Sequence, residues 1–222
     1  MPSPEHETQS KTHIPGVAVV MGAAGAGIGD AVALAFAESG CTKIAVTDRN
    51  DALLCQTASA ITAKFPHIEL YCAVGDTHSE PFVNGCIKGV LRSFGRVDYY
   101  ANCTSILSNN QNLTETSIEE VELVAMLKQE PLPSHNPKTS AKRRYVTPLM
   151  IISKERIKSL KPAIDIAPMK HICKPSEIAD SALFLYSIKA TFNQGYAFVV
   201  DGGPARNVIV IQNSADVLQL YH

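Results

Sequence analysis

Residues 17–40 read VAVVMGAAGAGIGDAVALAFAESG: an apolar run, a glycine-rich turn and a second, longer apolar segment. The run over 17–21 has no polar residue, which is typical of a strand buried on both faces of a parallel sheet. The segment after the turn predicts a helix from about Ile28 to Ser39, with Gly40 suited to its C-terminal cap. This stretch therefore predicts a strand–turn–helix unit.

Strand and helix patterns then alternate along the chain with short connections. Further strands are predicted over 43–48, 68–74, 97–101 and 196–200, and further helices over 51–65, 79–94, 117–129 and 175–187. Such alternation implies helices on both faces of a mostly parallel sheet. The predicted fold class is α/β, a doubly wound parallel sheet in three layers (α/β/α).

Composition excludes several classes of partner. The chain has 222 residues, of which 45% are hydrophobic and 18% charged, and its net charge is −1. This balance predicts neither a nucleic-acid nor a membrane partner, and no apolar run approaches the roughly 18 residues of a membrane span. The six cysteines form no CxxC pair and the seven histidines show no metal-ligand spacing. We expect reduced thiols, a cytoplasmic protein and no metal site.

The chain is long enough for one large domain. Residues 1–14 are polar and without a hydrophobic core region, so we expect a disordered tail there. Residues 15–222 are predicted to form a single domain with an irregular segment over 130–145, where Pro131, Pro133 and Pro137 oppose regular structure.

The glycine-rich turn GAAGAGIG (22–29) predicts a phosphate site. Glycine lets the backbone approach a phosphate, and the following helix offers free N–H groups and a positive dipole end. Asp48 lies 19 residues after Gly29 at the end of the second strand, where it favours NAD over NADP by accepting from ribose hydroxyls. The neighbouring Arg49 could instead pair with a 2′-phosphate. The alternative is an inherited turn that binds nothing.

Several motifs, in order, resemble those of the short-chain dehydrogenase/reductase family, whose fold is Rossmann-like. The segment 17–40 is similar to the glycine motif Thr-Gly-x-x-x-Gly-Ile-Gly, with Met21 for the Thr and one extra residue in the loop. FGRVDYYANCTSI (94–106) is similar to FGxxDxLVNNAGI, and VTPLM (146–150) to the end of a motif near the nicotinamide. The resemblance implies a cofactor, NAD or NADP, held by Gly22, Gly25, Gly27, Ile28, Gly29, Asp48, Arg49, Asp76, Thr77, Asn102 and Thr147.

The family's catalytic groups are not recognisable. The resemblance implies a Ser, a Tyr with a Lys four residues on, and an Asn on the helix over 117–129, where Lys128 stands instead. None of the seven tyrosines has a Lys four residues later. Residues 131–146 should hold a strand–helix–strand unit, which needs roughly 30 residues or more, and they are 16. We expect a loop or a short strand there, and fewer strands than in the full family fold.

Few residues could take the place of the missing catalytic groups. Lys128, His135, Lys138 and Tyr145 are candidate bases, although each is more often a solvated loop residue. The basic run 142–144 suits a cofactor phosphate or acidic substrate, but a solvent-facing run is the more common case. No catalytic residue is therefore assigned.

Three functions remain open. The first is an oxidoreductase that acts on a carbonyl or alcohol of a small molecule, including one of secondary metabolism. The second is a degenerate or non-redox protein, such as a cyclase or isomerase, that uses the dinucleotide fold as a scaffold. The third is a truncated form of an ordinary reductase. Because the family dimerises through its fourth and fifth helices, we expect a homo- or hetero-oligomer with an altered interface.

Overall fold

The computed structural model describes residues 13–104, 144–146 and 168–190 and residues 198 and 200; for 144–146 it describes the backbone. The chain forms two compact units. The first comprises Met1–Ile151 and Lys174–Gly195, and the second comprises Ile152–Cys173 and Tyr196–His222. In the described part of the second unit, Nδ1 of His171 lies 3.0 Å from the carbonyl oxygen of Met169. All the strands and helices named below belong to the first unit.

The sheet of the first unit is parallel. Its strands in the described residues are β1 (Val17–Met21), β2 (Lys43–Asp48), β3 (Glu69–Val74), β4 (Tyr99–Asn102) and β5 (Arg144–Val146). They lie side by side in the order β3-β2-β1-β4-β5. Val19 pairs with Ala45 on one side and with Tyr100 on the other, so β1 is central. All five of its residues are buried, as its apolar sequence predicts.

Four helices connect or cover these strands within the described residues. They are α1 (Ile28–Glu38), α2 (Asp51–Lys64), α3 (Glu80–Phe94) and α4 (Pro175–Tyr186). Side chains cap two of them: Asn50 accepts from the Leu53 amide at 3.1 Å, and Ser79 accepts from the Phe82 amide at 3.4 Å. Gly95, with φ 80°, ends α3 in the left-handed conformation.

Alternate residues of the strands bury two apolar cores, one on each face of the sheet. Ala18 and Val20 of β1 face a core completed by α1, α2 and α4. Val17 and Val19 face a second core completed by α3. Helices thus cover both faces, so the predicted fold class, a doubly wound α/β sheet in three layers, is confirmed.

Three aromatic rings join α4 to the rest of the first core. The ring of Tyr186 lies 5.0 Å from that of Phe36 in α1 and 5.8 Å from that of Tyr99 in β4. Its hydroxyl donates to the carbonyl oxygen of Tyr100 at 2.6 Å. Tyr186 is buried, and this bond satisfies its polar end. The C-terminal helix therefore packs on the same core that the first strand–turn–helix unit begins.

The predicted boundaries hold in most of the residues that the structure describes, with a few differences. Ile14 is buried and its amide donates to the Ser39 carbonyl, so the last residue of the predicted tail already packs on the domain. In the segment expected to be a loop or short strand, the described residues form the short strand β5, in agreement with that expectation. The strand predicted over 196–200 is wrong at residues 198 and 200, which lie outside any strand. The helix predicted over 117–129 lies outside the described residues, and the division into one tail and one domain stays a prediction.

Candidate functional site

The turn after β1 allows no side chain at its first residue. Gly22 has φ 74°, and a Cβ built on it would lie 2.8 Å from the carbonyl carbon of Cys103 and from the amide nitrogen of Thr104. Glycine alone tolerates both the left-handed backbone and this approach to the chain after β4. Gly25 also has a positive φ, 76°. The turn therefore crosses the carboxyl end of the sheet with its backbone in direct contact with β4.

The turn leads into the N-terminus of α1. Gly27 is the N-cap and makes no side-chain capping bond, and a Cβ on it would meet no described atom within 4 Å. A Cβ on Gly29 would lie 2.1 Å from the carbonyl oxygen of Gly22, so helix and turn pack backbone to backbone. Among the described residues no acceptor is seen for the amides of Ile28 and Gly29. Open space, unpaired N–H groups and the positive helix end together suit an anion such as a phosphate.

Asp48 ends β2 beside the turn and is half-buried. Its Oδ2 accepts from the Ala24 amide at 3.1 Å, and its Oδ1 accepts from the Asn50 amide at 3.0 Å. Arg49, the next residue, is exposed. The structure therefore places a carboxylate in contact with the glycine turn and the exposed cation of Arg49 next to it.

Asp76 follows β3 at the same edge of the sheet and is exposed. Its Oδ1 accepts from the His78 amide at 2.9 Å and lies 2.8 Å from Nδ1 of His78. These bonds, chiefly the one from the backbone amide, lower the pKa of Asp76, and the charge of Arg49 contributes a smaller part. Thr77 between them is half-buried. Asp76 is thus ionised and near Arg49 at the ends of β2 and β3.

Asn102 ends β4 opposite Met21. Its Oδ1 accepts from both the amide (3.1 Å) and the hydroxyl of Thr104. The Cys103 amide donates to the Met21 carbonyl at 2.9 Å, and burial raises the pKa of the Cys103 thiol to about 12. Thr104, which stands where the family motif has Ala, therefore holds the Asn102 side chain in place.

Two residues that support the turn were not predicted from the sequence. The hydroxyl of Thr57 in α2 donates to the Ala23 carbonyl at 2.9 Å, and Cδ1 of Leu53 would lie 3.4 Å from a Cβ on Gly25. Thr57 is a polar residue in the buried stripe of α2, between Leu54 and Ile61. A buried hydroxyl among apolar residues requires a hydrogen-bond partner, so the position of Thr57 in this stripe could have indicated a bond to a neighbouring segment.

The structure brings most of the predicted cofactor residues to one edge. Carboxyl ends of neighbouring parallel strands meet there, so the glycine turn, Asp48, Arg49, Asp76, Thr77 and Asn102 share it. Thr147 lies outside the described residues, as do the candidate bases Lys128, His135 and Lys138. For Tyr145 the structure gives the backbone, which pairs with Tyr100.

The hydroxyls of the two tyrosines of β4 are occupied in the core. Tyr99 donates to the Pro15 carbonyl at 2.9 Å, and Tyr100 donates to the sulfur of Met21 at 2.7 Å. Both are buried. A proton donor for carbonyl chemistry must lie within hydrogen-bond reach of the substrate oxygen, and these hydroxyls face other partners. Among the described residues there is no helix long and apolar enough to cross a membrane and no group of three metal-ligating side chains.

The glycine turn at the carboxyl edge of a parallel sheet coincides with a family match. The family model described as short chain dehydrogenase matches residues 16–129, just over half of the chain. The chain belongs to the short-chain dehydrogenase family. The resemblance of its motifs to that family is therefore confirmed.

The short-chain dehydrogenases most similar in sequence include two fungal proteins. The short-chain dehydrogenase fogB of Aspergillus ruber is 27% identical, with 86% of this chain and 97% of that protein covered. The short-chain dehydrogenase anuF of Penicillium roqueforti is 25% identical, with 87% and 97% covered. The first alignment extends over 266 positions against 222 residues in this chain, so at least 44 positions have no residue here.

Solved short-chain dehydrogenase structures share the fold. An L-sorbose reductase from Gluconobacter frateurii, complexed with NADPH and L-sorbose, has a TM-score of 0.66 at 22% identity, covering 89% of this chain and 100% of that one. A levodione reductase has a TM-score of 0.68 at 18% identity, covering 86% and 98%. At these identities the likeness shows the fold alone.

Proposed function

We propose that this short-chain dehydrogenase binds a nicotinamide dinucleotide and uses it to oxidise or reduce a carbonyl or alcohol of a small molecule. The observation that carries the proposal is the open space beside Gly27 together with the unpaired amides of Ile28 and Gly29 at the start of α1. The pyrophosphate would bind the unpaired amides there. The adenosine would lie toward Asp48, Arg49, Asp76 and Thr77, and the nicotinamide toward Asn102 and Thr147.

Both NAD and NADP remain candidates for the cofactor. The Asp48 carboxylate favours NAD, because it can accept from ribose hydroxyls and repels a 2′-phosphate. The exposed Arg49 offers that phosphate a bidentate partner. Two proteins of similar structure support NADP. The Gluconobacter enzyme was solved with NADPH, and YwfH, 21% identical with 84% of this chain covered, is an NADPH-dependent reductase.

The bound cofactor would supply or accept the hydride, and the chain must move one proton to or from the substrate oxygen. No tyrosine of the chain has a lysine four residues on, so the family's usual proton donor is absent. Lys128, His135, Lys138 and Tyr145 are the groups from which a replacement would come. YwfH is involved in bacilysin biosynthesis, and this role supports a secondary-metabolism substrate for the present chain. We further propose a cytoplasmic oligomer with an altered interface.

A second candidate function is favoured by the shortness of this chain. At least 44 positions of the alignment with the Aspergillus protein have no residue in this chain, and the strand–helix–strand unit that carries catalysis in the family needs roughly 30 residues. A chain without that unit would bind the dinucleotide without ordinary redox chemistry. It would then be a degenerate protein, a non-redox catalyst or a truncated form of a reductase.

Titration of the purified protein with NADH and NADPH, followed by nicotinamide fluorescence, tests the cofactor proposal. We expect binding of at least one of them; if neither binds at millimolar concentration, the proposed function is wrong. Sequencing of the native transcript across residues 128–148 separates the alternatives. An additional in-frame segment that encodes Tyr-x-x-x-Lys would identify this chain as a truncated form of an ordinary reductase.

A further inference from the structure

The Asp48 carboxylate points back at the glycine turn. Its Oδ2 accepts from the amide of Ala24, which lies 24 residues earlier in the chain, at 3.1 Å. Its Oδ1 accepts from the amide of Asn50, the N-cap of α2, at 3.0 Å. Each oxygen therefore already holds one backbone N–H group, and hydrogen bonds to a charged acceptor are the stronger kind.

Ala23 and Ala24 form the outer arc of the turn, and three further bonds hold this arc. The Thr47 carbonyl accepts from the amides of Gly22 and Ala23 at 2.8 and 3.1 Å. The Thr57 hydroxyl donates to the Ala23 carbonyl at 2.9 Å and is buried. The Ala24 amide has the Asp48 carboxylate as its partner. The Ala24 end of the arc is thus held by one side chain, that of Asp48.

We propose that Asp48 is a positioning residue for the phosphate-binding turn, in addition to any contact with the adenosine ribose. The proposal rests on the proposed dinucleotide binding. The turn is one residue longer than the family motif, and a longer loop loses more conformational entropy when it is fixed. The Asp48–Ala24 bond fixes the added length, so the position of the pyrophosphate amides depends on Asp48 whatever the ribose carries at its 2′ position.

Dinucleotides that differ at the ribose separate this role from simple ribose recognition. Binding of NADH, NADPH and the 2′,3′-dideoxyadenosine analogue of NADH is measured by calorimetry for the wild type, Asp48→Ala and Asp48→Asn. We expect Asp48→Ala to weaken the dideoxy analogue about tenfold, and Asp48→Asn, whose single oxygen can accept from only one of the two amides, to show an intermediate loss. If Asp48→Ala weakens NADH and leaves the dideoxy analogue within about twofold, the positioning role is wrong.

A second measurement keeps the inference separate from the proposed function. Amide hydrogen exchange at Ala24 requires no ligand, and we expect it to be about tenfold faster in Asp48→Ala than in the wild type. Asn50→Ala is the matched control, because it removes the α2 cap and leaves the Asp48–Ala24 bond. Unchanged exchange in Asp48→Ala overturns the positioning role, whereas a wild type that binds no dinucleotide overturns only the proposed function. Circular dichroism of each variant verifies that it is folded.

Discussion

Replacement of Gly29 by alanine tests whether the start of α1 must pack on the backbone of the turn. The new Cβ would lie 2.1 Å from the Gly22 carbonyl oxygen, 2.7 Å from the carbonyl carbon and 3.0 Å from Cα of Ala23. A relaxed carbon–oxygen contact is about 3.3 Å, so the helix and the turn would have to separate by roughly 1 Å. All three atoms belong to the backbone, which cannot rotate away as a side chain would.

The expected cost of Gly29→Ala follows from two opposing effects. Overpacking of this kind costs about 1–3 kcal/mol, and the removal of a helical glycine returns about 0.5–1 kcal/mol. We expect Gly29→Ala to lower the free energy of unfolding by about 2 kcal/mol, because the rigid backbone neighbours place the overpacking cost at the upper end of its range. Since urea m-values are about 1–3 kcal/mol per molar, the unfolding midpoint should fall by about 1 M urea.

Gly85→Ala in α3 is the matched control. It makes the same chemical change inside a helix, but its Cβ would meet no described atom within 4 Å. We expect this variant to be more stable than the wild type by about 0.5–1 kcal/mol. Urea unfolding followed by far-ultraviolet circular dichroism measures both variants. If Gly29→Ala unfolds at the same urea concentration as the wild type or higher, the backbone contact with Gly22 does not require glycine and the reasoning is refuted.

Three further predictions concern ionisable groups. The Asp51 carboxylate accepts from the thiol of the exposed Cys55 and raises its pKa, so Asp51→Asn should speed alkylation of Cys55 by iodoacetamide at pH 8. Partial burial raises the pKa of Asp30 above its ordinary 3.8; the free energy of unfolding should therefore fall as pH rises from 3.8 through the folded pKa, and Asp30→Asn should flatten that slope in urea titrations. The pKa of Asp76 is instead lowered by bonds from His78, so its stabilisation exists above 3.8 and is lost as pH falls further. His78→Ala removes only the ring contact, and NMR titration should show a higher Asp76 pKa; an unchanged value would contradict the pairing.

Local patterns predict the first three strands and helices closely. Apolar runs mark buried strands, and the predicted ends of the first three helices agree with the structure within one residue. The boundary of β4 was less accurate: it begins at Tyr99, two residues later than predicted. The preceding Asp98 uses its carboxylate to accept from the Val17 amide at 2.9 Å, a bond between residues 81 positions apart. Sequence pattern does not reveal such a partner.

Contacts between segments distant in the sequence explain the other features that local patterns did not predict. The stretch that forms β5 has no strand periodicity, and it is extended because β4 offers an open edge to which its backbone bonds. The residues of the candidate site were predicted from the resemblance of their motifs to those of the family, and they meet at one edge because carboxyl ends of parallel strands lie together. The bonds of Asp48 and Thr57 to the turn were not, since they depend on side-chain direction in the folded state.

The contact of Tyr186 with Phe36 and Tyr99 has a consequence for the order of events during synthesis. Phe36 and Tyr99 leave the ribosome long before Tyr186, yet all three rings belong to one core, and the hydroxyl of Tyr186 bonds a carbonyl 86 residues earlier. Contacts of such long sequence separation slow folding, and unfinished cores expose apolar surface. The nascent N-terminal half therefore keeps one side of Phe36 exposed until α4 is translated, although Tyr99 already contacts the ring.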